Sequence, residues 1–161
     1  MSEDRKEVVV RGDGEGLHHE VFIGSHRLAA DEPPQSGGSD RGPNPYDLLL
    51  ASLGACTAMT LTMYAQRKGL PLRGVTTRLG HSRIHADDCA RCETEEGRID
   101  SIELTIELEG PLSDEQRSKL LEIARKCPVH RTLTSEKVIE IGPGGESGQA
   151  LSENDKEQFC C

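Results

Sequence analysis

A single domain that mixes strands with helices is predicted by three segments of the sequence. Between residues 46 and 68, Leu49, Leu53, Cys56, Thr60 and Tyr64 recur at spacings of four, three, four and four, the repeat of one helical face. Between 102 and 109, Ile102, Leu104, Ile106 and Leu108 alternate with Glu103, Thr105, Glu107 and Glu109, the period of a strand with one wet face. Ser113 followed by Gln116 makes a capping box, and Leu120, Ile123, Ala124 and Cys127 continue at helical spacing as far as Pro128.

In chain order, Val8, Val9 and Val10 open a short strand. Gly12, Gly14 and Gly16 then punctuate a turn before Glu20, Val21, Phe22 and Ile23 begin a second strand, so the pair reads as a hairpin. No helix follows the glycines, which argues against the phosphate cradle their pattern imitates. Residues 31–45 contain four prolines and three glycines and must form a loop. A loop of this length either has a function or drapes over a neighbour. In the helix that follows, Leu48, Leu50, Ala51, Ala55 and Ala58 widen the apolar surface, as in a helix surrounded by protein. Gly69 stops it and Pro71 prevents its continuation. Val75, Thr77, Leu79, His81, Arg83 and His85 alternate in an extended segment, a strand like 102–108. Residues 137–141 predict a last strand. The domain thus spans 1–141, and 142–161 is a polar tail expected to be disordered.

Composition narrows the function. The chain has 161 residues, a net charge of −9, no Trp, two Tyr and two Phe, so its core must be built from Leu, Ile, Val and Ala. Such a core is modest, and a partner subunit is expected to contribute stability. The acidic balance argues against nucleic-acid phosphates, which need clustered Lys and Arg. The N-terminus is charged at once and no run approaches the ~18 apolar residues of a membrane span, so the protein is expected in the cytoplasm and off the membrane. Six cysteines, at 56, 89, 92, 127, 160 and 161, are too few and too unevenly spread for a secreted disulfide scaffold. In a reducing compartment they point to thiol chemistry or metal. The terminal Cys160 and Cys161 imitate a prenylation signal but follow an acidic tail instead of a basic one.

Cys56 lies on the central helix, where a free cysteine can serve simply as a small apolar side chain. Cys127 precedes Pro128, which can open a new helix whose positive end would favour a thiolate. The segment GGSDRGPNPYDLLLASLGACTAMTL, together with Ala124-Arg-Lys-Cys-Pro-Val-His-Arg-Thr-Leu133, resembles the OsmC/Ohr family of thiol-dependent peroxide reductases, over about residues 7–141. The resemblance implies an α+β fold with strands around long central helices, an intertwined homodimer, Cys56 as the peroxidatic thiol and Cys127 as the resolving thiol. Such a pair reduces a peroxide by passing through a sulfenic acid to a disulfide, which a dithiol reductant resets. No cofactor is required for that chemistry.

The family resemblance also implies an arginine held by a carboxylate ten positions before the first cysteine, but that position is Tyr46 here. The nearest carboxylate is Asp47, about 13.5 Å from Cys56 along a straight helix, so the helix must bend near Gly54 or Asp47 only caps it. Arg27 is the candidate arginine, with Arg41 as the alternative. His130, three residues after Cys127, can share its helical face and help hold a thiolate, or serve as a cap or surface residue. His18, His19 and His26 read as surface residues.

A second constellation is His81, His85, Cys89 and Cys92. On a strand His81 and His85 lie about 13 Å apart, too far for one tetrahedral ion, so His85, Cys89 and Cys92 are the candidate ligands, with zinc as the metal. A labile Cys89–Cys92 redox pair and an inert loop are the other readings. The expected function is a cysteine-dependent peroxidase acting on organic hydroperoxides, because the apolar helix suits a lipophilic substrate. The alternative is a non-catalytic OsmC-like redox or metal-binding module that uses the His/Cys insert, which the missing carboxylate at Tyr46 favours.

Overall fold

Strands β1 (Val8–Gly12), β2 (His19–Ile23) and β3 (His26–Ala30) form an antiparallel sheet in the computed structural model, which describes residues 7–85 and 97–143. The expected hairpin pairs Val8 with Ile23 and Gly12 with His19. A third strand extends it through a tight turn at Gly24, whose φ of 58° suits glycine.

The proline-rich loop is organised around Asp31. This buried carboxylate accepts backbone N–H groups from Glu32 at 2.8 Å, Arg41 at 3.1 Å and Ser39 at 3.3 Å, so it ties both ends of the loop together. Burial raises the carboxyl's pKa, but the three N–H donors outweigh it and the net shift is downward. A short 3-10 helix, Pro34–Ser36, occupies the middle of the loop.

The loop delivers helix α1 (Pro45–Lys68), with Asn44 as its cap and Gly69 in the left-handed region at its end. The buried residues of α1 are Leu53, Gly54, Thr57, Leu61 and Ala65. That stripe is rotated by one residue from the predicted one, so Cys56 is half-buried at its edge and Leu49 is exposed. Only one face is covered within the chain, with Met59 64% and Met63 69% exposed, in contrast to the fully surrounded helix expected. By length and mean hydropathy, 1.5 over 18 residues, α1 would also qualify as a membrane span, contrary to the sequence reading. Here it packs instead on a strand and two helices.

Strands β4 (Gly74–His85) and β5 (Arg98–Glu109) pair antiparallel along their whole length, from Gly74 opposite Glu109 to His85 opposite Arg98. β5 alternates between half-buried and exposed positions over 102–109, as its sequence predicts. Helices α2 (Asp114–Ala124) and α3 (Pro128–Thr134) follow. The Ser113/Gln116 capping box is present, and Arg117 donates to the carbonyls of Leu108 and Gly110, which fixes α2 to the end of β5.

The core joins Leu61 and Ala65 of α1 to Leu112, Leu120, Ile123 and Ala124. Leu61 and Leu120 are fully buried, each worth about 1.5–3 kcal/mol of apolar burial. Residues 137–141 form no strand, a correction to the sequence reading. Val138, Ile139 and Ile141 stay more than three-quarters exposed because no described strand of this chain lies beside them. Most of the predicted tail, 144–161, falls outside the described residues.

Asp31 predicts an acid-sensitive loop. A carboxyl depressed on folding stabilises the protein above its ordinary pKa of 3.8, and the stability is lost as pH falls through the lower folded value. Asp31→Asn should therefore lower the thermal midpoint at neutral pH, and the gap from wild type should narrow as pH falls below about 4. Thermal melts across a pH series measure both.

Candidate active site

Two turns of chain meet where α1 crosses the junction of α2 and α3. The first carries Cys56, half-buried, whose carbonyl accepts the Thr60 hydroxyl at 2.7 Å. The second carries Cys127, fully buried, at the cap position of α3, where Pro128 starts the new helix and Arg131 N–H returns to the Cys127 carbonyl at 3.0 Å. The 71-residue separation is closed by the packing of α1 on α2 and α3, which brings the two thiols close enough to perturb each other's ionisation.

Their ionisation is divided unequally. Burial pushes the Cys56 thiol up, and the hydrogen bond and like charge of Cys127 push it further, against weaker help from the Val129 N–H and the Thr60 hydroxyl. Burial also raises Cys127, but the neighbouring Cys56 thiol and the backbone N–H groups of His130 and Val129 outweigh it, and the net shift is downward. The two thiols titrate as a coupled pair in which the surroundings favour charge on Cys127 over Cys56.

The supporting residues predicted from sequence fall elsewhere. Asp47 accepts from the Asn44 N–H at 3.2 Å while its own N–H donates to Asn44 Oδ1 at 2.9 Å, so capping is the role it fills. Arg27 is exposed, ion-paired with Glu20, with its guanidinium 5.8 Å from the Phe22 ring centre. Arg41 contributes its backbone N–H to Asp31. The side chain of His130 has a buried Nδ1 without a partner, and so has His18, which sequence placed on the surface.

An arginine held by a carboxylate does exist, at a place the sequence reading missed. Arg83 Nε donates to Asp100 Oδ1 at 3.3 Å, and His81 Nε2 lies 2.9 Å from the same oxygen. Tyr46 stacks on His81 with ring centres 4.4 Å apart and shares a shallow pocket with Arg83. Asp100 holds Arg83 above its ordinary value and is itself held low, chiefly by His81 and then by Arg83. The signal available was the facing of Arg83 and Asp100 across the β4–β5 pair, which requires the hairpin register.

Asp100 also opens onto a groove of about 590 Å³ walled by Leu53, Ile102, Leu104, Leu121 and Leu133, with His130 at its α3 side. The groove is mainly apolar and lies between the Arg83 cluster and the Cys127 turn. Of the proposed metal ligands, His85 is the last residue of β4, while Cys89 and Cys92 lie outside the described residues. Among the described residues no three His, Cys, Asp or Glu side chains cluster as a metal site.

A half-buried and a fully buried thiol on packed helices, together with two antiparallel sheets, define the α+β domain. Residues 37–142 match the family model described as OsmC-like protein, and this chain belongs to that family. Its fold is that of solved OsmC and organic hydroperoxide resistance proteins. A structure from Psychrobacter arcticus described as a putative osmotic stress induced and detoxification response protein superposes with a TM-score of 0.63 at 19% identity, covering 81% of this chain and 89% of that one. An OsmC-like protein from Mycoplasma pneumoniae gives 0.63 at 19% identity over 83% and 89%. The organic hydroperoxide resistance protein OsmC of Legionella pneumophila gives 0.59 at 20% identity over 82% and 92%. Among curated proteins none matches the sequence significantly.

Removing Cys127 removes both a hydrogen bond and a like charge that hold the Cys56 proton on. In Cys127→Ala, Cys56 should ionise at lower pH than in the wild type. The pH dependence of its alkylation rate, followed by peptide mass, reads this directly; an unchanged or higher midpoint contradicts the coupling.

Proposed function

We propose that this protein is a cytoplasmic, cofactor-free thiol peroxidase that reduces organic hydroperoxides through Cys56 and Cys127. The observation that carries the reading is the presence of two free thiols, one half-buried on α1 and one fully buried at the cap of α3, on helices that pack together. Membership of the OsmC-like family supports it, as do the organic hydroperoxide resistance proteins that share the fold.

The chemistry follows from the pair. Cys56, the more accessible thiol, hands its proton to the Cys127 thiolate and attacks the outer oxygen of the hydroperoxide. The O–O bond breaks, Cys56 becomes a sulfenic acid, and the departing alkoxide takes the proton back from Cys127 to leave as the alcohol. The regenerated Cys127 thiolate then attacks the Cys56 sulfur, forming the disulfide and expelling hydroxide, which is protonated to water. A dithiol reductant restores both thiols by exchange, itself ending as a disulfide. The apolar groove that reaches His130 on α3, the helix capped by Cys127, suits a hydrocarbon substituent on the peroxide.

A second copy of the chain completes the reading. Leu49, Met59 and Met63 on α1, with Val138, Ile139 and Ile141 beyond α3, are apolar residues left exposed by the single chain, and a homodimer would cover them. Zinc at His85, Cys89 and Cys92 remains a separate proposal for the insert, tested by metal analysis of the wild type against Cys89→Ser/Cys92→Ser.

Cys56→Ser should abolish peroxide consumption. Cys127→Ser should instead stop after one oxidation, leaving a sulfenic acid at Cys56 that a cyclic dione traps. Peroxide turnover retained in Cys56→Ser contradicts the reading.

A further inference from the structure

Helix α1 packs on β4 as well as on α2 and α3, so its depth on the strand bears on how Cys56 meets the turn at Cys127. Two of its contacts with β4 stand apart from ordinary side-chain packing. At Gly54, buried in the middle of the helix, the backbone comes so close that a methyl group there would lie 2.7 Å from Leu79 Cδ1 and 3.0 Å from Thr77 Oγ1. At Tyr46, in the first turn, the ring stacks on His81 with centres 4.4 Å apart and planes within 18°. That end of β4 is itself braced, because His81 Nε2 lies 2.9 Å and Arg83 Nε 3.3 Å from the same Asp100 oxygen on β5.

The two contacts lie on one line. Thr77, Leu79 and His81 alternate along β4 and share one face of it. From Tyr46 to Gly54 the helix rises by about 12 Å, and from the midpoint of Thr77 and Leu79 to His81 the strand extends by about 10 Å, so α1 runs back along β4. Gly54 sets how deep the helix lies and Tyr46 sets its direction. Glycine inside a helix is less favourable than alanine, and the close approach is what it permits here. Tyr46 is 46% exposed, so its stack adds orientation more than core burial. We propose that Gly54 and Tyr46 are positioning residues that fix how α1 presents Cys56 to Cys127. A methyl group at residue 54 meets Leu79, which can swing aside, and Thr77, which is β-branched and stiff, so the helix must lift and carry Cys56 with it.

The consequence for catalysis rests on the peroxidase reading above. In the resolving step the Cys127 thiolate attacks the Cys56 sulfenic acid, an S–S bond forms as the S–O bond breaks, and hydroxide leaves and takes up a proton to become water. A disulfide tolerates only a narrow range of separations and dihedral angles. A displacement of the helix by a fraction of an ångström therefore lowers the effective concentration of one thiol at the other, even where both remain present and the fold is intact.

The test equilibrates the full-length protein in mixtures of reduced and oxidised dithiothreitol and quantifies the Cys56–Cys127 linkage by peptide mapping. Gly54→Ala should lower the equilibrium constant for that linkage by about tenfold. Tyr46→Ala should lower it by about threefold, and Tyr46→Phe, which keeps the stacked ring, should restore it. Val21→Ala truncates a buried side chain of the other sheet and should lower the thermal midpoint while leaving the constant unchanged. A constant unchanged or raised in Gly54→Ala or in Tyr46→Ala overturns the proposal. So does failure of Tyr46→Phe to restore it, an equal fall in Val21→Ala, or a wild type that forms no such linkage in oxidised dithiothreitol. Consumption of an organic hydroperoxide is followed on the same wild-type protein. Its absence would refute the peroxidase reading while the equilibrium still decides the roles of Gly54 and Tyr46.

Discussion

The contact between α1 and the turn at Cys127 is the constraint on which the chemistry depends. Leu61 and Ala65 on one side and Leu120, Ile123 and Ala124 on the other make the only buried core cluster that links distant parts of the chain among the described residues. That apolar packing sets the height of α1 over α2 and α3, and through it the meeting of Cys56 with Cys127. A shift of one helical position would turn Cys56 either fully to solvent or into the core, where Thr57 now sits. The two thiols are thus positioned by ordinary side-chain burial, with Pro128 starting α3 directly after Cys127.

Electrostatics then separates two chemically identical groups. Burial alone would raise both thiols, and it is the asymmetry of donors that favours charge on Cys127 and leaves the proton on Cys56. The inner thiol is sealed from solvent, while the outer one is partly reached by it. The Arg83–Asp100 pair, braced by His81 and Tyr46, stands at the far side of the apolar groove and supplies fixed charge beside it.

Much of the fold was legible because its signals are local. The β1–β2 hairpin, the Ser113/Gln116 capping box, the glycine stop of α1 and the alternation of β5 all depend on residues within one or two turns of each other. The failures involve tertiary context. The repeat Leu49, Leu53, Cys56, Thr60, Tyr64 and the true stripe Leu53, Thr57, Leu61, Ala65 have the same period, and only the partner surface decides which faces inward. Residues 137–141 have strand composition but no described strand of this chain to pair with. Arg83 was passed over because its carboxylate lies across a hairpin. The two cysteines themselves were identified by the resemblance of their flanking motifs, which no periodicity could supply.

The central claim is that the oxidising equivalent of a hydroperoxide ends in a bond between Cys56 and Cys127. The most direct measurement is peptide mapping of the fully reduced wild-type protein after one equivalent of an organic hydroperoxide. The expected result is loss of two thiols and a single Cys56–Cys127 linkage. Intact Cys56 and Cys127, or oxidation confined to other cysteines, would contradict it.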